Sequence, residues 1–266
     1  MNSEPNTFRD IILLPYIERF GDHALEVLIR GHAAAIFGEE GAGTTVICRY
    51  ISNLWTKRDN RRVMYFTACR EPDYLKLLQH LASQVLGTEM PGDWRLHCAS
   101  HLTHLMTAKI RAANVGLIVI DRADLAPGDF IDAVMTMASN CSDLGTRVGV
   151  LLGIRQSGGQ ISLFRDISST CVAFSGRIRP LDVGSVAAVI AELAPSLKPL
   201  VEMVAVDDAA GIEAAAKLSK LSEGNFRRLQ QFACYLNDLR QPLSISAATI
   251  DDIWSRSFFL ESTRAA

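Results

Sequence analysis

The chain has 266 residues, a formal net charge of −2 and 48% apolar side chains, which is typical of a folded globular protein. This length accommodates one large domain, or an α/β domain followed by a smaller helical one. The nearly balanced charge excludes a strongly basic nucleic-acid-binding protein, so any nucleic-acid surface would be a local patch.

Cysteine usage and the N-terminal sequence predict a cytoplasmic protein. Six cysteines are scattered along the chain without a C-x-x-C pair, which indicates reduced thiols rather than a disulfide framework. The N-terminus carries acidic residues and no apolar core, unlike a signal peptide. No apolar stretch approaches the ~20 residues of a membrane span, so we expect no contact with a membrane.

Short apolar runs alternate with helical patterns over the N-terminal part of the chain. This alternation predicts a parallel sheet with helices on both faces. The run 116–120 shows no polar alternation, as expected of a central parallel strand. The predicted strands are Ala33–Phe37, Val63–Ala68, Gly116–Ile120, Val148–Ile154 and Cys171–Phe174, with helices at Val46–Trp55, Tyr74–Leu86, Leu96–Ala112 and Phe130–Asn140.

The pattern changes to helices alone from about Leu181. We therefore predict an N-terminal segment over 1–19, an α/β domain over 20–180 and a helical lid domain over 181–266. The helices predicted in the last part are Val183–Leu193, Gly211–Leu221, Asn225–Leu239 and Ala247–Phe258.

A glycine-rich segment after the first predicted strand matches the phosphate-binding loop G-x-x-x-x-G-K-[ST] at all but one position. Gly38, Gly43 and Thr45 have the required spacing, and Thr44 occupies the position of the lysine. Backbone N–H groups of such a loop bind phosphate, so these four residues and Gly41 are candidate nucleotide-binding residues. The alternative interpretation is a glycine-rich turn without a ligand.

The third predicted strand ends in an acid, as the metal-side motif of P-loop NTPases does. Asp121 would hold Mg²⁺ together with the hydroxyl of Thr45, and the position that usually carries a water-polarising glutamate holds Arg122. The alternative is a buried strand that ends in a solvated acid. The missing lysine and the missing glutamate together predict weak nucleotide binding and hydrolysis near background.

These motifs resemble those of AAA+ ATPases of the transposition-regulator and secretion-ATPase group, the TniB/TnsC-like and ExeA-like proteins. The resemblance covers about residues 15–255. It implies a three-layer P-loop α/β domain with a C-terminal helical lid, and ATP or ADP with Mg²⁺ as the cofactor. The segments that carry it are Gly38–Thr45, Leu117–Asp121, Val148–Gly153 and Ser222–Leu229.

The same resemblance implies roles for three later arginines. Arg227 and Arg228, at the start of a late helix, would reach the phosphates from the lid. Arg165 would act in trans on the nucleotide of a neighbouring subunit. The implied assembly is self-association or association with an AAA+ paralogue.

The implied function is regulation of DNA transposition or mobile-element targeting in bacteria. Its partners would be a transposase or another mobile-element protein and double-stranded DNA. A local basic cluster is the candidate DNA contact, although it could equally be a solvated loop. A competing function is an ATPase-like adaptor or scaffold in secretion or defence signalling that does not contact DNA. The basic cluster consists of Lys57, Arg58, Arg61 and Arg62.

Overall fold

The computed structural model describes residues 15–71, 73–86, 99–156, 172–239 and 245–264. The chain divides into two compact units. One is an α/β unit of Pro15–Glu40 and Thr44–Ile178, and the other comprises Gly41–Gly43 and the helices from Arg179 onward. Among the described residues after 178 there is no strand, which agrees with the change of pattern in the sequence.

The α/β unit is built on a five-stranded sheet in which all the strands pair in parallel. The strand order is β2-β3-β4-β1-β5, so β3 and β4 lie inside the sheet. Every residue of β3 is buried, as its uninterrupted apolar sequence predicts. The strands are β1 Ala33–Glu39, β2 Arg62–Thr67, β3 Val115–Asp121, β4 Gly149–Gln156 and β5 Val172–Arg177.

Helices cover both faces of this sheet, because alternate strand residues on each face are apolar and need burial. Two helices pack on one face and three on the other, so the prediction of a three-layer α/β fold is confirmed. Helix α1 was not predicted from the sequence. The helices are α1 Pro15–Ile29, α2 Thr44–Arg58, α3 Tyr74–Leu86, α4 Ala99–Ala112 and α5 Gly128–Asp143. The predicted start of α4 at residues 96–98 lies outside the described residues.

The C-terminal unit contains helices and no strand within its described residues, as predicted. Asp182 and Asp208 cap two of the helices through hydrogen bonds from backbone N–H groups at 2.7 and 2.9 Å. The rings of Phe232 and Trp254 pack with centroids 4.8 Å apart. The helices are α6 Val183–Leu193, α7 Lys198–Ala205, α8 Ala209–Ser222, α9 Phe226–Leu239 and α10 Ala247–Arg264, of which α7 was not predicted.

Candidate nucleotide-binding site

The glycine-rich loop connects the end of β1 at Glu39 to the start of α2 at Thr44. Gly41 and Gly43 have φ values of +82° and +97°, which side chains with a Cβ rarely adopt. A Cβ built on Gly43 would meet nothing within 4 Å, so the space beside this backbone is open. The loop therefore gives a phosphate access to backbone N–H groups at the positive end of a helix.

Thr45 and Asp121, the two candidate metal-side residues, are in contact. The Thr45 hydroxyl donates a hydrogen bond of 3.1 Å to Oδ1 of Asp121, which joins the start of α2 to the end of β3. Asp121 is only 3% exposed. A hydroxyl and a carboxylate are oxygen ligands of the kind that Mg²⁺ prefers, so this pair fits the ion that the fold implies. In the described residues, no cluster of three or more His, Cys, Asp or Glu side chains could hold a metal.

Three residues that sequence reasoning missed surround Asp121. A Cβ on Gly153 of β4 would lie 2.5 Å from Sγ of Cys48 and 3.3 Å from Oδ1 of Asp121, so only glycine permits this approach. Burial, and then Asp121, raise the pKa of the Cys48 thiol. Burial, and then Cys48 and Asp121, raise the pKa of Tyr65, whose hydroxyl oxygen is buried. A glycine within a strand often marks such a close approach, so Gly153 was a signal available in the sequence.

The lysine position of the loop is filled by a side chain that cannot carry charge. Thr44 is 4% exposed, and its hydroxyl oxygen is buried without a hydrogen-bond partner in the described chain. The residues present thus supply the backbone and the metal-side groups of a nucleotide site. They do not supply, at this position, the cation that normally reaches the β- and γ-phosphates.

Arg122 takes a left-handed backbone conformation immediately after β3, with φ 57° and ψ 40°. This conformation costs a residue with a Cβ roughly 1–2 kcal/mol. The Nε atom of Arg122 is buried and has no hydrogen-bond partner among the residues that the structure describes. Arg122, at the position of the usual glutamate, therefore combines a strained backbone with a partly desolvated side chain.

A cavity of about 620 Å³ lies at the carboxyl edge of the sheet, within the α/β unit. The backbone N–H of Arg155 donates to Oδ1 of Asp124 at 3.0 Å. Its guanidinium donates to Oε1 of Glu40, a residue of the phosphate loop, at 3.4 Å. The cavity therefore reaches the loop and the ends of three strands. Its lining residues are Glu40, Cys69, Arg70, Arg122, Asp124, Leu125 and Arg155.

The two candidate lid arginines begin helix α9 in the C-terminal unit. The side-chain oxygen of Asn225 accepts hydrogen bonds from the backbone N–H groups of Arg227 and Arg228 at 3.0 and 3.3 Å. The backbone N–H of Arg227 also donates to the carbonyl of Gly41, which belongs to the same unit, at 3.1 Å. The guanidinium of Arg228 pairs with Glu223 at 3.0 Å. The candidate trans-acting residue Arg165 lies outside the described residues.

The basic cluster lies at the amino edge of the sheet, at the end opposite the phosphate loop, and two of its members have partners within the fold. Arg58 pairs with Asp22 at 3.0 Å. Arg61 pairs with Asp59 at 2.7 Å, and its guanidinium lies 5.4 Å from the ring centroid of Trp55. These contacts leave fewer free cations for phosphates than the sequence indicates.

Lys57 and Arg62, the other two members of the basic cluster, are exposed. No described helix has both the length and the apolar composition that crossing a bilayer requires. Within the described chain, two candidate ligand-binding surfaces are left. One is the phosphate loop with its neighbouring cavity, and the other is the exposed pair Lys57 and Arg62.

Comparison with known proteins finds similarity to one protein family. Residues 30–157 match the family model described as AAA domain. No curated protein matches the sequence.

Solved structures share the fold at low sequence identity. The Cdc6p protein from Pyrobaculum aerophilum is 15% identical with a TM-score of 0.61, over 85% of this chain and 62% of that one. Domain III of the Thermotoga maritima replication initiation protein DnaA is 15% identical with a TM-score of 0.55, over 94% and 97% of the two chains.

The Aeropyrum pernix ORC1 protein, solved in complex with DNA, is 13% identical with a TM-score of 0.58, over 95% and 67% of the two chains. This chain spans less than two thirds of the length of the Cdc6p protein. The matched family model and the shared architecture lead to one conclusion: residues 30–157 are similar to an AAA domain, and the described chain has the P-loop α/β fold of these solved structures.

Proposed function

We propose that this protein is an AAA+ regulator of DNA transposition or mobile-element targeting, which binds ATP or ADP with Mg²⁺ weakly and hydrolyses ATP at close to background rate. The observation that carries this proposal is the contrast within one site. The left-handed glycines of the loop and the Thr45–Asp121 hydrogen bond support nucleotide binding. Thr44 and Arg122 stand where the lysine and the glutamate that serve hydrolysis are expected.

Binding without the lysine follows from the groups that remain. Backbone N–H groups at the start of α2 would hold the phosphates, and Thr45 with Asp121 would hold Mg²⁺. A hydrogen bond to a charged group contributes about 1.5–3 kcal/mol, so loss of the lysine lowers affinity about 10- to 150-fold. Nucleotide at millimolar concentration would still occupy such a site.

The missing groups should lower the rate of hydrolysis more than the affinity for nucleotide. The lysine stabilises charge on the phosphoryl group in the transition state, and the glutamate orients the attacking water. Both contributions act mainly in the transition state, so their loss lowers the rate more than the affinity. Arg122 carries a positive charge and cannot accept a proton from water.

The regulatory role is supported by the resemblance to transposition regulators and by the fold shared with Cdc6p, DnaA and an ORC1 protein that was solved with DNA. In this proposal the protein assembles with further copies or with an AAA+ paralogue, and Arg165 would act in trans on the neighbour's nucleotide. Head-to-tail contacts of that kind produce rings or open filaments. A transposase or another mobile-element protein would be the partner. Light scattering that shows only monomers, with nucleotide and DNA both present, would contradict this assembly.

A second candidate is an adaptor or scaffold in secretion or defence signalling without DNA contact. The observation that favours it is the pairing of Arg58 and Arg61 within the fold, which removes half of the basic cluster. A gel-shift titration with double-stranded DNA over a salt series distinguishes the two candidates. Absence of binding even at low salt would favour the adaptor.

If DNA binds through Lys57 and Arg62, the double variant Lys57→Gln, Arg62→Gln will show a weaker dependence of its DNA affinity on salt concentration. Each lost phosphate contact reduces the slope of log affinity against log salt concentration by about 0.9, so the slope should fall by about 2. Arg30→Gln, which neutralises an exposed arginine outside the cluster, is the matched control.

The proposed nucleotide binding and slow hydrolysis are tested by comparing the wild type with the double variant Thr44→Lys, Arg122→Glu. Calorimetry measures binding, and a coupled assay measures steady-state hydrolysis. We expect weak binding and near-background turnover in the wild type, and faster turnover in the double variant. Tight binding in the variant with none in the wild type would mean that the loop holds no nucleotide.

A further inference from the structure

We propose that Arg70, Arg122 and Arg155 form an anion site for the terminal phosphate of a nucleoside triphosphate, and that Arg122 supplies the positive charge that Thr44 does not. This inference deepens the proposed function and rests on it. It assigns to three arginines, far apart in sequence, a shared role in distinguishing a triphosphate from a diphosphate.

The strand order brings the three arginines to one cavity. Arg70 follows β2, Arg122 follows β3, and Arg155 lies in the last part of β4. These three strands are neighbours in the sheet and run parallel, so their carboxyl ends meet at the same edge. In open parallel sheets ligands bind at this edge. The cavity of about 620 Å³ has room for a phosphate group together with water.

The charges of the cavity lining leave a positive excess. It contains three arginines and two acids, Glu40 and Asp124, and both acids contact Arg155. The contacts found in the described chain include no ion pair for Arg70 or Arg122. An incoming anion would therefore meet two guanidinium groups that no carboxylate of the lining already neutralises.

Arg122 shows the features of a residue that is held for a ligand. Its left-handed backbone is unfavourable for a side chain with a Cβ. Its Nε atom is buried without a hydrogen-bond partner in the described part of the chain. A guanidinium that is partly removed from water without a partner is destabilising, and a phosphate oxygen would remove that penalty through a charge-assisted hydrogen bond.

A carboxylate of the phosphate loop already makes the kind of contact that we propose. Oε1 of Glu40 lies 3.4 Å from Nη1 of Arg155. Carboxylate and phosphate oxygens are interchangeable partners for a guanidinium. Because Glu40 lies in the loop, this contact shows that an anionic oxygen beside the loop is within reach of the cavity.

The test is calorimetric titration of the full chain with Mg-ATP, Mg-ADP and inorganic tripolyphosphate. Comparison of wild type with Arg122→Gln isolates the proposed charge. We expect the wild type to prefer ATP to ADP, and the variant to lose about 10- to 150-fold in affinity for ATP and tripolyphosphate. Its affinity for ADP should change less than about threefold, since ADP lacks the terminal phosphate.

Three further variants keep the test specific. Arg122→Lys retains the charge and should retain part of the ATP preference. Thr44→Lys combined with Arg122→Gln should regain that preference if the two positions supply the same charge. Arg30→Gln neutralises an exposed arginine outside the cavity and should have no effect. Unchanged melting temperatures of the variants exclude a folding defect.

The outcomes separate this inference from the proposed function. Equal binding of ATP and ADP, unaffected by Arg122→Gln, would overturn the arginine site while nucleotide binding stands. Tripolyphosphate binding that depends on Arg122, with no nucleotide binding, would support the anion site and remove the nucleotide from the proposed function. Binding of neither ATP nor tripolyphosphate would overturn both.

Discussion

The arginines at the two edges of the sheet differ in whether they have acidic partners. At the amino edge, Arg58 and Arg61 pair with acids of the same unit, and Arg61 also lies over Trp55. At the carboxyl edge, Arg70 and Arg122 line a cavity and form no ion pair among the described residues. The residues of the first group lie close together in the sequence, whereas those of the second come together only in the folded chain.

The difference shows that a charge visible in a sequence is not necessarily available to a ligand. A carboxylate close by, such as Asp59 beside Arg61, neutralises a cation and fixes its position. Whether charged residues come together to bind a ligand depends instead on which strands are neighbours in the sheet. We therefore expect substitutions at the amino edge to change stability, and substitutions at the carboxyl edge to change anion binding.

The largest effect should come from two glycines of β4, Gly149 at its start and Gly153 in its second half. A Cβ on Gly153 would lie 2.5 Å from Sγ of Cys48, and a Cβ on Gly149 would lie 2.6 Å from the carbonyl oxygen of Leu28. We expect Gly153→Ala and Gly149→Ala each to lower the free energy of unfolding by about 1–3 kcal/mol, measured by urea denaturation.

The two glycine variants should differ in their binding of nucleotide. Gly153→Ala also crowds Asp121, whose Oδ1 would be 3.3 Å from the new carbon, so its Mg²⁺-dependent binding should fall. Binding by Gly149→Ala should stay close to that of wild type. Equal effects of the two variants on calorimetric nucleotide affinity would contradict the division between the two edges.

The sequence predicted the sheet, and it named Thr45 and Asp121, which the structure places in contact. Uninterrupted apolar runs such as β3 and the spacing of the phosphate loop are local patterns, and both were readable. Helix α1 was missed although Ile17, Phe20, Ala24 and Leu28 follow a helical period. The arginine cavity could not be predicted, because it depends on the strand order, which places the ends of β2, β3 and β4 together.

Arg61→Ala should be the next largest change. The variant loses an ion pair with Asp59, packing on Trp55 and a hydrogen bond to the backbone carbonyl of Arg147. Because the Arg61 side chain is only 23% exposed, we expect a loss of about 2 kcal/mol in the free energy of unfolding. Arg70→Ala at the other edge should change it by less than about 0.5 kcal/mol. Chemical denaturation that ranks the two variants in reverse order would be inconsistent with this comparison.

Glu40→Gln should increase the affinity for ATP by about tenfold, which corresponds to roughly 1.4 kcal/mol. The substitution removes a negative charge from the phosphate loop and releases the guanidinium of Arg155. Asp22→Asn, which removes the partner of Arg58 at the amino edge, is the matched control and should not change ATP affinity. A calorimetric affinity that falls in Glu40→Gln would argue against competition between Glu40 and phosphate.

The smallest effect concerns acid stability at the amino edge. The side-chain hydrogen bond from Arg61 lowers the pKa of Asp59 below its ordinary value near 3.8. Because the folded-state pKa is lowered, this stabilisation is present above about pH 4 and is lost as pH falls through the folded-state pKa. The difference in unfolding free energy between wild type and Asp59→Asn should be under about 1 kcal/mol and should shrink below pH 4. If the difference in unfolding free energy between wild type and Asp59→Asn stays constant from pH 6 to pH 3, the Asp59 carboxylate does not stabilise the fold through Arg61.

The most direct test of binding without turnover is a single-turnover experiment on the wild-type protein. Protein in excess over Mg-ATP is quenched with acid at times from seconds to hours, and ATP and ADP are separated by chromatography, after calorimetry has set the fraction bound. The account predicts that bound ATP is recovered as ATP, because Thr44 and Arg122 replace the two groups that hydrolysis needs most. Formation of ADP at about 1 s⁻¹, the low end of typical enzyme rates, would contradict it.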